Sequence, residues 1–281
     1  MHSADGTIIG YFKVGQGPPV ILLHGAGQSS ENFSELARDL SDRFTVFVPD
    51  RRGRGSSGPY GDFHGLRSEI EDLSALLDAS GAQDVFGLSS GAVIAIETAL
   101  VRSDIAKLAL YEPPLSFDGV VHAEWLPRYE RHLDNGRPGA ALASVLKGTA
   151  DRGPLVFVPR VLLGAFFDFA IKRTADRASQ PGSSSPLELI PTVRYDAETV
   201  MDAAGPLERF AGLSCDVLLL GGSRSARKLT ASLEGLSGVL PHAEKVIFRG
   251  VGHTAADNSG RPSQVATELR RFFEWRGQGD R

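Results

Sequence analysis

The most chemically distinctive stretch of the sequence is GLSSG, residues 87–91, a Gly-x-Ser-x-Gly pattern with Ser89 at its centre. In a chain with 32 glycines the pattern alone is a weak signal. Here it lies between a β-branched run and a helical run, where a sharp strand-to-helix turn would expose the hydroxyl and require small flanking residues. We therefore interpret Ser89 as a candidate nucleophile. The backbone N–H of Ser90, at the start of the following helix, suits a developing oxyanion.

A nucleophilic serine needs a histidine to take its proton and an acid to orient that histidine. His253 lies late in the chain, just after an apolar run and between Gly252 and Thr254. An isolated histidine in this context is more often an ordinary loop residue. Because the serine turn precedes it in the chain order typical of such sites, we interpret His253 as the base.

Short apolar runs alternate with amphipathic helical patterns along most of the chain. This alternation predicts an α/β fold with a mostly parallel central sheet and helices on both faces. A first hairpin is predicted at TIIGYFKVG. The further predicted strands are residues 20–25, 44–50, 84–89, 107–114, 215–222 and 244–250.

Four of the predicted strands end in residues that could do chemistry. The ends are His24 to Gly27, Ser89, Glu112, and the segment that runs into His253. In an open α/β sheet, ligands bind at the carboxyl ends of the strands. We therefore expect these residues to meet on one edge of the sheet, although they are far apart in sequence.

The alternation stops between about residues 115 and 210, where helical patterns carry many of the aromatic residues. We predict a helical cap over residues 115–210, inserted into a core formed by residues 1–114 and 211–281. Aromatic side chains in the cap suit an apolar ester or lactone, although at helical spacing most of them should pack the cap onto the sheet. Trp125 is the one we select for ligand contact. The aromatics considered are Trp125, Tyr129, Phe157, Phe166, Phe167 and Phe169.

Composition excludes several other classes of protein. The net charge of −4 comes without a basic stripe, so we expect no nucleic-acid or membrane partner. The single cysteine excludes an internal disulfide, and we expect no metal and no cofactor. The N-terminus lacks the pattern of a signal peptide, and the interpretation that follows is a cytoplasmic protein. The loop DRRGRGSSG does not match a phosphate-binding pattern, and we expect its arginines to form local salt bridges.

The motifs HGAG, PDRRGRGSSG, GLSSGA and GVGH together resemble those of the α/β-hydrolase fold family, over nearly the full length of the chain. The resemblance implies that a second oxyanion-hole N–H comes from Gly25 or Ala26. It also implies that the acid should follow the strand CDVLLLGG. Ser225 occupies that place, so the usual acid is missing.

Glu112 is the alternative acid, because it follows the strand next to that of the serine and precedes two prolines that restrict its backbone to extended geometry. Zearalenone-type lactonases resemble this chain in their serine turn. They also have a glutamate at the corresponding place, in a His-Glu-Leu-Pro stretch where this chain has Tyr-Glu-Pro-Pro. Glu112 could instead pair with an arginine of the cap. Asp257, four residues after His253, is interpreted as a helix-start or surface acid.

These residues predict acyl transfer by a Ser89–His253–Glu112 triad, with Gly25 or Ala26 and Ser90 forming the oxyanion hole. The predicted activity is that of a carboxylic ester hydrolase or lactonase acting on a small apolar molecule. Two alternatives stay open. One is a receptor for a hydrophobic ligand on the same fold, and the other is a repurposed biosynthetic member, such as a cyclase or a carbon–carbon hydrolase.

Overall fold

A seven-stranded sheet organises the chain in the computed structural model, which describes residues 1–62, 64–116, 123–175 and 184–274. The strands are β1 (Tyr11–Val14), β2 (Pro19–Leu23), β3 (Thr45–Pro49), β4 (Asp84–Leu88), β5 (Lys107–Tyr111), β6 (Asp216–Gly222) and β7 (Glu244–Phe248). Their spatial order is β1-β3-β2-β4-β5-β6-β7. β1 pairs antiparallel with β3, and the other neighbours are parallel. The predicted mostly parallel α/β sheet is confirmed.

Helices connect the parallel strands and cover both faces of the sheet. They are α1 (Ser34–Leu40), α2 (Leu66–Ser80), α3 (Ser90–Val101), α4 (Leu126–Asp134), α5 (Pro138–Thr149), α6 (Arg160–Ala175), α7 (Pro186–Leu189), α8 (Val193–Asp202), α9 (Arg227–Val239) and α10 (Pro262–Glu274). In one hydrophobic cluster α2, α3 and α9 pack on the sheet, and in the other α1 and α10 cover the opposite face. Alternate residues of β2 face the two clusters: Ile21 belongs to the first and Leu22 to the second.

The stretch between β5 and β6 contains helices α4 to α8 and no strand among its described residues. Its own small apolar cluster centres on Tyr129, which is fully buried and donates a hydrogen bond to the carbonyl of Ile190. α8 contacts α3, which places the end of the stretch against the core. Residues 117–122 and 176–183 of the predicted cap lie outside the described residues. The division into core and cap at residues 114 and 211 stays a prediction.

Two expectations about local structure were wrong. TIIGYFKVG does not form a hairpin, since only β1 is a strand there and it pairs with β3, while Ile8 forms an isolated bridge to His2. The expectation that most cap aromatics pack onto the sheet or meet a ligand also fails for three phenylalanines. The side chains of Phe157, Phe166 and Phe169 are 87%, 58% and 60% exposed. Among the described residues, no helix is long and apolar enough to cross a membrane.

Candidate active site

The turn at Ser89 holds the serine in a backbone conformation that side chains rarely adopt. Its φ is 56° and its ψ is −122°, between the end of β4 and the start of α3. The two flanking glycines are required, because a Cβ at Gly87 would lie 2.5 Å from the Gly91 carbonyl oxygen. A Cβ at Gly91 would lie 2.5 Å from the carbonyl oxygen of His24. Strain of this kind persists only where the surrounding structure enforces it, and it is typical of functional sites.

Glu112 is the other non-glycine residue with positive φ among the described residues, at 47°. The extended backbone expected before the prolines is therefore wrong for this residue. Its backbone N–H donates to the Leu220 carbonyl of β6, and its side chain is buried. One carboxylate oxygen, Oε1, accepts a hydrogen bond of 2.6 Å from the N–H of Gly222. The other, Oε2, lies 2.7 Å from His253 Nδ1.

This arrangement fixes the tautomer of His253. The carboxylate of Glu112 only accepts hydrogen bonds, so Nδ1 must carry a proton and donate it to Oε2. In the neutral imidazole, Nε2 is then left as the acceptor. The loop before His253 is held by Tyr111, whose hydroxyl donates to the Gly252 carbonyl at 2.9 Å. Burial raises the pKa of the Tyr111 phenol, so it stays a donor across the physiological range.

The HGAG loop lies directly against the serine, since a Cβ at Gly25 would be 3.1 Å from Ser89 Cβ. The Gly25 N–H is already used, because it donates to Gln28 Oε1 at 2.8 Å. Within the described residues, no hydrogen bond is formed by the backbone N–H groups of Ala26 and Ser90. Of the three predicted oxyanion-hole residues, Ala26 and Ser90 thus keep a free donor, and Gly25 does not.

Gln28 connects this loop to Asp257. Its Nε2 donates to Asp257 Oδ2 at 2.9 Å, while the other carboxylate oxygen accepts from the N–H of Ser259. Asp257 is only 6% exposed. Its interpretation as a helix-start or surface acid was therefore wrong, because the residue is buried and fixes the Gln28 amide that holds the HGAG loop.

Gln28→Ala is expected to lower kcat by about tenfold, since loss of the amide leaves the buried Gly25 N–H unpaired and loosens the loop. An unpaired buried donor costs about 1–3 kcal/mol, and about 1.4 kcal/mol in the barrier is a tenfold change in rate. Initial rates with an aryl ester measure the effect. The matched control is Gln83→Ala at an exposed glutamine before β4. A Gln28→Ala enzyme with native kcat would show that the loop needs no such support.

A buried ion network lies beneath Ser90 and was not foreseen as such. Arg51 forms a two-point pair with Glu69, at 2.7 and 3.0 Å, and a 2.7 Å pair with Asp196 of α8. Arg54 pairs with the other Asp196 oxygen at 2.7 Å. Asp196 also accepts from the Ser90 hydroxyl at 2.9 Å. The arginines of this loop were expected to form local salt bridges. Arg51 and Arg54 instead pair with Asp196, which lies more than 140 residues away in sequence.

His24, the first residue of the HGAG loop, stays neutral within this network. Burial, together with the charges of Arg54 and Arg51, holds the pKa of its imidazole well below the usual value. Its Nε2 accepts from the backbone N–H of Arg51 at 3.3 Å, so Nδ1 carries the proton and donates to the Gly25 carbonyl at 3.1 Å. His24 thus supports the loop and has no free nitrogen for acid–base chemistry.

A cavity of about 710 Å³ opens onto these groups. Ser89, His253 and Ala26 line it, and its wall is mostly apolar. The predicted ligand contact, Trp125, also lines it, and its ring packs edge-on against Tyr129. The other aromatics named from the sequence are not among the lining residues. No cluster of histidine, cysteine or carboxylate side chains able to hold a metal ion is present in the part of the chain that the structure describes.

The fold and the strained serine turn define a class of protein, and comparison with known sequences identifies it. Residues 20–268 match the sequence profile of the alpha/beta hydrolase family. The chain belongs to this family.

Individual relatives are similar over different lengths. The chain is 26% identical to a pimeloyl-[acyl-carrier protein] methyl ester esterase of Xanthomonas campestris, covering 92% of this chain and 96% of that protein. It is 29% identical to an uncharacterized hydrolase, YraK, of Bacillus subtilis, over about half of each protein. Among solved structures, an alpha/beta hydrolase from Sphaerobacter thermophilus is 31% identical, with a TM-score of 0.76 and coverage of 97% and 99%. An enol-lactonase from Burkholderia xenovorans shares the fold at 18% identity, with a TM-score of 0.67 and coverage of 96% and 98%.

Proposed function

We propose that the protein is a serine-dependent carboxylic ester hydrolase that acts on an ester or lactone of a small, largely apolar molecule. The observation that carries the proposal is the 2.7 Å hydrogen bond between Glu112 and His253, in a cavity that the strained Ser89 also lines. The names of the methyl ester esterase and the enol-lactonase support this class of reaction.

The mechanism follows from the proton positions. His253 Nε2 accepts the proton of Ser89 as its hydroxyl attacks the substrate carbonyl, and Glu112 stabilises the resulting imidazolium through Nδ1–H. The oxyanion accepts hydrogen bonds from the N–H groups of Ala26 and Ser90. Each such donor is worth about 3 kcal/mol in the transition state. His253 then protonates the leaving group and activates the water that hydrolyses the acyl-enzyme.

The network around Asp196 supports the oxyanion hole from below. Asp196 accepts from the hydroxyl of Ser90 and, at 3.2 Å, from the N–H of Gly27. It therefore binds Ser90, which supplies one proposed oxyanion donor, and Gly27, which follows Ala26, the source of the other. In this arrangement α8 sets the distance between the two donors, and little reorganisation is needed when negative charge develops.

The first test combines turnover with covalent labelling. We expect the native protein to hydrolyse a short-chain aryl ester over many turnovers, and an alkyl fluorophosphonate to label it once, at Ser89 by peptide mass spectrometry. Ser89→Ala is the control that should neither label nor turn over. Stoichiometric binding of esters without turnover would indicate a hydrophobic-ligand receptor, and labelling at another residue would refute the assignment of the nucleophile.

A further inference from the structure

One wall of the active-site cavity carries four cationic residues. The loop and first helical turn after β6 contribute Arg224, Arg227 and Lys228, and Arg152 faces them from the segment after α5. All four residues line the cavity, although the rest of its wall is mostly apolar. Arg152, Arg224 and Arg227 are exposed to solvent and Lys228 is half-buried, so their charged groups are open to a ligand that enters from solvent.

These cations are not neutralised by the protein. The guanidinium groups of Arg152, Arg224 and Arg227 make no hydrogen bond or ion pair with the described residues. Lys228 Nζ donates to one uncharged group, the Gly148 carbonyl, at 2.9 Å. Burial lowers the pKa of this ammonium. The contrast is with Arg51 and Arg54, whose charges are matched by buried carboxylates.

The carboxylates near this wall leave an excess of positive charge. Asp151 is exposed and accepts hydrogen bonds from the backbone N–H of Arg227 at 3.0 and 3.1 Å. Glu124 and Asp151 both act on Lys228 electrostatically, but neither forms an ion pair with it. Asp196, which also lines the cavity, is already paired with two arginines. Four cationic side chains therefore lie near two carboxylates, Asp151 and Glu124, that form no ion pair with the described residues.

Ser225 adds an unused donor at the same place. It lines the cavity, it is 3% exposed, and its buried hydroxyl has no hydrogen-bond partner among the described residues. Buried hydroxyl groups are normally paired. The oxygen is shielded from the cavity, so the cations and not this hydroxyl are the groups that a ligand meets first.

The position of this wall sets the length of the ligand. β6 is the second neighbour of β4, which carries Ser89, and adjacent strands lie about 4.8 Å apart. The loop that carries the cations therefore begins on the order of 10 Å from the nucleophile. Leu115, Val200 and Leu229 line the same cavity. An apolar chain of several carbon atoms fits between the two ends.

We propose that the preferred substrate carries a carboxylate at the end remote from the scissile ester, and that Arg224, Arg227 and Lys228 bind this carboxylate. This inference rests on the proposed ester hydrolase function and specifies its substrate class. Arginine pairs with carboxylates through charge-assisted hydrogen bonds, which are stronger than neutral ones. The wall thus selects half-esters of dicarboxylic acids, or lactones with a free acid, over neutral esters.

The test compares two esters that differ only at the remote end, monomethyl suberate and methyl octanoate. We expect native kcat/KM to be at least about tenfold higher for the half-ester, mainly through KM. In Arg224→Gln/Arg227→Gln, the ratio between the two substrates should fall to near one. Arg38→Gln, at an exposed arginine of α1 away from the cavity, should keep the native ratio.

Binding provides a readout that does not depend on turnover. Calorimetric titration of Ser89→Ala should show the half-ester binding at least about tenfold more tightly than methyl octanoate, and the two arginine substitutions should remove the difference. Equal cleavage of both esters by the native protein would overturn the carboxylate site and leave the hydrolase function intact. Arginine-dependent binding of the half-ester without cleavage would support the carboxylate site and overturn the hydrolase function. A folded protein, checked by circular dichroism, that shows neither preference overturns this inference.

Discussion

Replacing Glu112 with glutamine is expected to lower kcat roughly ten-thousandfold, with little change in KM. The side chain keeps its shape, so the loss reflects the proton on His253. If the glutamine Oε1 keeps its bond from the Gly222 N–H, its NH₂ group faces His253 Nδ1. Nδ1 must then be the acceptor, and the proton moves to Nε2, where it blocks general-base catalysis. If the amide flips instead, its NH₂ group faces the N–H of Gly222, and two donors then oppose each other.

The measurement is single-turnover and steady-state kinetics on an aryl ester, with Ser89→Ala defining the background. Asp216→Asn is the matched control, because Asp216 is an exposed acid at the opposite end of β6. A Glu112→Gln enzyme within about tenfold of native would show that Glu112 is not the acid. In that case Asp257, whose carboxylate binds Gln28 and Ser259 in this structure, is the next residue to substitute.

The sheet was predictable because its signals are local. The six parallel strands β2 to β7 begin within one residue of the predicted runs. Short apolar segments bounded by glycine, proline or polar residues usually form strands. The place of Glu112 and His253 after the carboxyl ends of β5 and β7 followed from the same pattern. The first hairpin was not predictable in this way, because β1 pairs with β3 and not with the residues next to it.

The sequence carried no signal for the charges beneath the site. Nothing in the helical pattern around Asp196 distinguishes it from a surface acid, and its partners Arg51 and Arg54 are separated from it by more than 140 residues. Asp257 was misread for a related reason, since its burial depends on Gln28, far away in sequence. Exposed phenylalanines such as Phe157 were misjudged because apolar residues at helical spacing usually lie inside.

Asp196→Asn is expected to destabilise the protein by about 3–5 kcal/mol, because it leaves Arg51 and Arg54 buried with only the Glu69 carboxylate to compensate two charges. Asparagine preserves the volume, so the effect isolates the charge. This is a large fraction of the stability of an ordinary domain. Urea unfolding followed by circular dichroism at pH 7 measures it. The control is Glu71→Gln, which removes a surface pair with Arg67, a side chain that is 91% exposed, and should cost less than about 0.5 kcal/mol.

The dependence on pH separates the charge from a packing effect. Arg54 and Arg51 hold the pKa of the Asp196 carboxyl far below its usual value, despite the opposing effect of burial. A depressed folded-state pKa contributes stability above the unfolded-state pKa, which is about 4, and this contribution is lost as pH falls toward the folded-state pKa. The difference in unfolding free energy between native and Asp196→Asn should therefore be constant from pH 6 to 8, estimated from those pKa values, and shrink below about pH 4. A difference that stays the same at low pH would mean that the asparagine disturbs packing around α8 and that the ion network is not what holds this helix on the core.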